Sequence, residues 1–189
     1  LAYLAEAGEG AFITEDMLED SLGPVGTQLK MLADANLVTL TKRERWRNPY
    51  ADIKCVEHSP VILSNTQKRA FNTILSLYKS GEAKAALLHG VTGSGKTQVI
   101  ISMIDEVIAD GRGVIILVPE IALTPQTVSI YCSRYGQRVA VIHSSLSAGE
   151  RADAWRRVRA GEADIVVGTR SAVFAPITNL GMIVIDEEQ

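Results

Sequence analysis

Gly90-Val91-Thr92-Gly93-Ser94-Gly95-Lys96-Thr97 satisfies the pattern G-x-x-x-x-G-K-[ST] at every fixed position. The pattern has a mechanism when a strand precedes it and a helix follows. Ala85–His89 reads as a short apolar strand, and Thr97–Ala109 carries helical periodicity. In that setting the glycines let the backbone wrap phosphates with its N–H groups pointing inward, and the helix N-terminus adds a favourable dipole. Lys96 is placed to reach the β and γ phosphates of ATP and Thr97 to ligate Mg²⁺. The whole stretch, Gly90, Val91, Thr92, Gly93, Ser94, Gly95, Lys96 and Thr97, is the expected nucleotide-binding loop.

Downstream, strands and helices alternate. Val114–Val118, Val139–His143, Asp164–Val167 and Met182–Ile185 read as strands; Thr124–Arg134, opened by Pro125, and Ala148–Ala160 read as helices. The strands are continuous Val/Ile runs rather than apolar–polar alternations. Both of their faces are therefore covered, which predicts a parallel sheet in an α/β domain. The last strand, Ile183-Val184-Ile185, delivers Asp186-Glu187-Glu188 to its carboxyl end, where ligands bind in open α/β sheets. Asp186 is the expected Mg²⁺ partner and Glu187 the residue that polarises the attacking water. Adjacent Asp-Glu at this place fits a hydrolytic motor better than a small-molecule kinase.

Upstream of the loop, Gln67 in Leu63-Ser64-Asn65-Thr66-Gln67 offers both donor and acceptor to an adenine edge. It stands where superfamily 2 helicases place their adenine-reading glutamine. Thr169, Arg170 and Ser171 leave the strand at 164–167 and supply hydroxyls and a guanidinium suited to the phosphates of a single DNA strand.

Residues 1–47 read differently. Two short helical patterns, after Thr14 and from Val25, are followed by a strand-like Leu37-Val38-Thr39-Leu40 and a basic turn, Lys42, Arg43 and Arg45 with Trp46. Helix, turn, helix, strand and basic wing is the order of a winged helix whose Lys and Arg contact DNA. A solvated charged hairpin is the alternative, since residues 1–50 hold 5 basic and 8 acidic residues. Residues 48–62 read as a linker, and 63–189 as the nucleotide-binding lobe.

The composition, 47 % hydrophobic and 22 % charged over 189 residues, excludes a disordered chain. The net charge of −3 supplies no bulk basic field for nucleic acid. No apolar run has the roughly 18 residues a membrane helix needs. Cys55 and Cys132 lack metal-ligand spacing, so no zinc site is expected in this chain; both read as reduced thiols. A start at Leu1 and a stop just after an apolar strand suggest a fragment.

Several of these stretches together resemble the primosomal replication-restart helicases, the PriA family of superfamily 2. They are the loop with Val91-Thr92, Val118-Pro119-Glu120-Ile121-Ala122-Leu123-Thr124-Pro125-Gln126, and His143-Ser144-Ser145-Leu146-Ser147-Ala148-Gly149-Glu150-Arg151 with Trp155 and Gly161. Gly168-Thr169-Arg170-Ser171-Ala172-Val173-Phe174-Ala175-Pro176 and Asp186-Glu187-Glu188 complete the set. The resemblance covers about residues 63–189, and residues 1–47 share only the pattern of the family's winged helix.

The resemblance implies a RecA-like P-loop NTPase lobe in a bacterial cytoplasmic enzyme working at the nucleoid. That enzyme would be an ATP- and Mg²⁺-dependent DNA helicase moving 3′ to 5′, which restarts stalled forks and begins primosome assembly. Its implied partners are single-stranded and forked DNA, primosome loading proteins and single-strand-binding protein. It also implies zinc in the full-length protein, through cysteines this chain lacks, and near-inactivity of a single lobe. Gln189 departs from the family, which commonly has His there. RecG-like or transcription-repair coupling translocases usually carry Asp-Val before Gly-Ser-Gly-Lys and Asp-Glu-Gln-His at the acidic motif. DEAD-box RNA helicases follow Asp-Glu with Ala-Asp. A nucleotide-gated DNA- or primosome-docking module is the reading from another class.

Overall fold

A computed structural model describes residues 13, 15–41, 46–56 and 61–186. The chain divides into two compact units, Leu1–Arg45 and Trp46–Gln189.

In the first unit, α1 (Glu15–Leu22) ends at Gly23, whose φ of 76° and N–H bond to the Glu19 carbonyl form a left-handed C-terminal stop. Helix α2 (Gly26–Asp34) ends likewise at Asn36, the one described non-glycine residue with positive φ. Leu18 and Leu29 are the buried residues of these helices. The expected strand Leu37–Leu40 does not form: these residues are irregular, and Leu37 and Leu40 are exposed. A strand needs a neighbour for its N–H and C=O groups, and the described part of this unit provides none. Thr14 and the wing residues Lys42, Arg43 and Arg45 lie outside the described residues.

The second unit holds the sheet. Helix α3 (Asn65–Lys79) precedes the phosphate loop and α4 (Lys96–Ala109) follows it. Strands β1 (Gly113–Leu117), β2 (Val139–Ile142), β3 (Ile165–Gly168) and β4 (Leu180–Ile185) alternate with α5 (Pro125–Tyr135) and α6 (Ala148–Arg159). All strand pairs are parallel, in the order β2-β3-β1-β4. Period-two geometry divides the core. Val114, Ile116, Val139, Val141, Ile165 and Val167 pack on α4 and α5, while Ile115, Ala140, Ile142 and Val166 pack on α6 and the 3₁₀ turn Arg170–Phe174. Fully burying each such Val or Ile stabilises the fold by about 1.5–3 kcal/mol. The expected fold class is thus present in the second unit as a four-stranded parallel sheet with flanking helices.

Two features differ from expectation. Ala85–His89 is not a strand: residues 83–91 are irregular, and Leu87 is exposed. The reason is again a missing neighbour, since β4 pairs only with β1 among the described residues. Residues 46–56, most of them expected in a linker, lie on the α/β unit. Tyr50 and Ile53 pack against its core, Val56 N–H donates to the Ser133 carbonyl at 2.8 Å, and Arg47 pairs with buried Asp153.

Candidate nucleotide and nucleic-acid site

The phosphate loop enters α4 through two left-handed glycines, Gly93 (φ 79°) and Gly95 (φ 81°). Gly95 is required twice over. An L side chain rarely adopts that φ, and a Cβ there would collide with the Gln67 amide nitrogen. The Lys96 ammonium turns into the cradle, donating to the carbonyls of Gly90 at 2.7 Å and Val91 at 3.3 Å. Thr97 follows it in the first helical turn, exposed.

Gln67 reaches this loop from α3. A capping box starts that helix: Ser64 N–H donates to Gln67 Oε1 (2.8 Å), and Gln67 N–H donates to Ser64 Oγ (3.3 Å). The Gln67 amide nitrogen then donates to the Ser94 carbonyl at 3.0 Å and to Gln98 Oε1 at 3.2 Å. The sequence reading passed over both α3 and Gln98. The signal for the helix was present in Ser64-x-x-Gln67, whereas nothing in the sequence marks Gln98.

Asp186 sits at the end of β4, where its N–H donates to the Leu117 carbonyl at the end of β1 (2.9 Å). Helix α4 turns directly into β1 through Asp110–Arg112 and packs against both β1 and β4. Its 14 residues span about 21 Å, and the five residues of β1 about 17 Å. The start of α4 therefore lies toward the carboxyl ends of β1 and β4, bringing Lys96 to the edge of the sheet that carries Asp186. Tyr131 lies near this edge; burial, with the Asp186 charge added, pushes its hydroxyl up to about 12.

The other strand ends line the same edge. Gly168, at the end of β3, has no room for a Cβ beside the Ile142 carbonyl and Ala172. Thr169 N–H donates to the Ile142 carbonyl (3.2 Å), leaving Arg170 and Ser171 exposed at the opening of the 3₁₀ turn. After β2, His143 Nε2 lies 2.8 Å from the Tyr50 hydroxyl; burial lowers its pKa, against the opposing charges of Glu120 and Glu150. The Ser144 hydroxyl donates to Glu120, which follows β1.

A model of the DEAD/DEAH box helicase family matches residues 64–189. The chain belongs to the DEAD/DEAH box helicase family. Among curated proteins it is similar to the replication restart protein PriA of Bacillus subtilis, 44 % identical over 188 residues, covering 100 % of this chain and 23 % of that protein. The PriA of Synechocystis sp. is 43 % identical over 160 residues, covering 85 % of this chain and 19 % of that protein. The PriA of Treponema pallidum is 41 % identical over 153 residues, with shares of 80 % and 23 %. The chain thus spans less than a quarter of the length of these relatives. The other superfamily 2 translocases weighed as alternatives are not favoured.

A helicase domain uses nucleotide and Mg²⁺ in general, and the residues fit such a metal. Among the described residues no cluster of His, Cys, Asp and Glu would cage an ion. Mg²⁺ needs no cage, because it keeps several waters and binds through one or two carboxylates plus substrate phosphates. Thr97 and Asp186 can supply that much. Glu187 and Gln189, like Lys42, Arg43 and Arg45, lie outside the described residues. No described helix is long and apolar enough to cross a membrane.

Proposed function

We propose that this chain is the nucleotide-binding lobe, with a preceding winged helix, of an ATP-driven DNA helicase that moves 3′ to 5′ and restarts stalled replication forks. The observation that carries this reading is the phosphate loop at the start of α4, turned toward the sheet edge that bears Asp186. It stands in a chain similar along its whole length to a protein named for replication restart.

In this reading the loop 90–97 cradles the triphosphate. Lys96 leaves the Gly90 and Val91 carbonyls to meet the β and γ oxygens, and Gln67 contacts the adenine. Mg²⁺, held by Thr97, Asp186 and the phosphates, supplies charge neutralisation. Glu187 takes the proton from the attacking water as the bond to the γ-phosphorus forms and the bond to the β-phosphate oxygen breaks. Thr169, Arg170 and Ser171 contact single-stranded DNA at the same edge, and Lys42, Arg43 and Arg45 add phosphate contacts from the winged helix. Primosome loading proteins and single-strand-binding protein are the partners, in the bacterial cytoplasm at the nucleoid. Zinc belongs to other parts of the full-length protein. Hydrolysis needs a second lobe to close over the nucleotide, so these 189 residues alone turn over ATP very slowly.

The test is ATP turnover by the full-length protein, with and without single-stranded DNA, beside its Lys96→Ala variant. DNA-stimulated turnover that the variant loses supports a DNA motor. Nucleotide binding without DNA-stimulated turnover overturns the motor and leaves a nucleotide-gated docking module.

A further inference from the structure

Gln67 spends almost all of its hydrogen-bonding capacity inside the protein. A carboxamide has two N–H donors and two acceptor lone pairs. One lone pair accepts from Ser64 N–H at 2.8 Å, one N–H goes to the Ser94 carbonyl at 3.0 Å, and the other goes to Gln98 Oε1 at 3.2 Å. The two backbone partners set the amide's orientation, since Ser64 N–H can only donate and the Ser94 carbonyl can only accept. Gln98 takes the remaining donor. What is left is a single lone pair on Gln67 Oε1.

The loop is shaped around this pair. A Cβ at Gly95 would collide with Gln67 Nε2 and lie 3.0 Å from Gln98 Oε1. The glycine that opens α4 thus leaves space for two glutamine side chains as well as for phosphate. Gln98 lies in the first turn of the same helix, with its backbone N–H on the Gly95 carbonyl at 3.0 Å, so its side chain is anchored to the loop it steadies.

We propose that Gln98 is a positioning residue for base selection: by occupying the second Gln67 donor, it leaves the site an acceptor that takes a 6-aminopurine and repels a 6-oxopurine. Adenine presents an amino donor at position 6, whereas guanine presents an oxygen acceptor there. The lone pair on Gln67 Oε1 receives the first and opposes the second. Removing Gln98 releases an N–H that can donate to the guanine O6 or N7, and the preference narrows. This inference rests on the assignment of Gln67 to the base.

Equilibrium competition of ADP, GDP and inorganic tripolyphosphate for the full-length protein tests it, with Gln98→Ala and Gln98→Glu compared against the unsubstituted chain. The expected result is a preference for ADP over GDP that falls about three- to tenfold in Gln98→Ala, the worth of one neutral hydrogen bond. Gln98→Glu, which keeps an acceptor oxygen facing Gln67, retains the ADP:GDP ratio even if its charge weakens both. An unchanged ratio in Gln98→Ala, with the variant's unfolding midpoint also unchanged, overturns the role of Gln98 alone. Equal affinities for ADP and GDP in the unsubstituted protein overturn base contact by Gln67 as well. Tripolyphosphate carries no base, so its binding reads the phosphate loop separately, and failure of all three ligands to bind overturns the nucleotide site itself.

Discussion

Helices α3 and α6 begin with nearly superimposable hydrogen bonds and do different work. At α3, Ser64 N–H meets Gln67 Oε1 at 2.8 Å and Gln67 N–H meets Ser64 Oγ at 3.3 Å. At α6, Ser147 N–H meets Glu150 Oε2 at 2.8 Å and Glu150 N–H meets Ser147 Oγ at 3.2 Å. A carboxylate is the better partner for a helix N-terminus, and α6 has one. Helix α3 has an amide instead, because only an amide can cap with its oxygen while donating to Ser94 and Gln98 with its nitrogen. One box ends a local problem of unpaired backbone; the other ties a helix to the phosphate loop.

The largest effect that separates the two regions is expected from Lys96→Ala. ATP turnover by the full-length protein should fall about a hundredfold or more, the cost of losing a charged donor to transferring phosphate. Ser147→Ala should leave turnover unchanged in the same assay. Next comes the exchange of the two residues at the third helical position. Gln67→Glu keeps the cap but removes both N–H donors and sets a negative charge beside the loop, so nucleotide affinity should drop about tenfold by calorimetric titration. The reciprocal Glu150→Gln should leave that affinity where it was.

A smaller effect concerns stability. Ser64→Ala and Ser147→Ala should each cost about 1 kcal/mol in urea unfolding, but only Ser64→Ala should also weaken ADP binding. If Ser147→Ala weakens it equally, the division of labour between the boxes is broken. The smallest effect is a pH dependence. Bonds from the Ser147 side chain and backbone hold the Glu150 carboxyl below its ordinary value of 4.5. A depressed carboxylate pKa stabilises the fold above the unfolded value, and this contribution is lost as pH falls through the folded one. Urea midpoints should therefore decline slightly less in Glu150→Gln as the pH falls from 4.5 downward.

The sheet was legible because β1 to β4 are runs of Val and Ile, and continuous apolar sequence reports two covered faces directly. The phosphate loop was legible because its glycines and lysine sit at fixed spacing. Ala85–His89 and Leu37–Leu40 misled for one shared reason: apolar composition says that a segment can pair, whereas pairing depends on a neighbour that local pattern does not contain. The strap at 46–56 was read as linker because two prolines and weak periodicity hid contacts that are all long-range, Arg47 to Asp153 and Tyr50 to His143 among them. Gln98 was invisible for the opposite reason. Its surroundings are helical and ordinary, and its significance comes from a side chain 31 positions away.

Helix α4 is held very unevenly along its length. Its later turns bury Met103, Ile104 and Val107, and Asp105 there takes hydrogen bonds from Arg134 at 2.6 Å and the Tyr135 hydroxyl at 2.8 Å. Its first turn carries exposed Thr97 and Gln98. Amide hydrogen exchange along this one helix should therefore form a gradient, with the last turns exchanging only when the whole unit opens and the first turn exchanging through local fraying. A ligand seated on the loop would slow exchange at the fraying end alone, so that a few amide protons at the start of α4 become a direct record of occupancy.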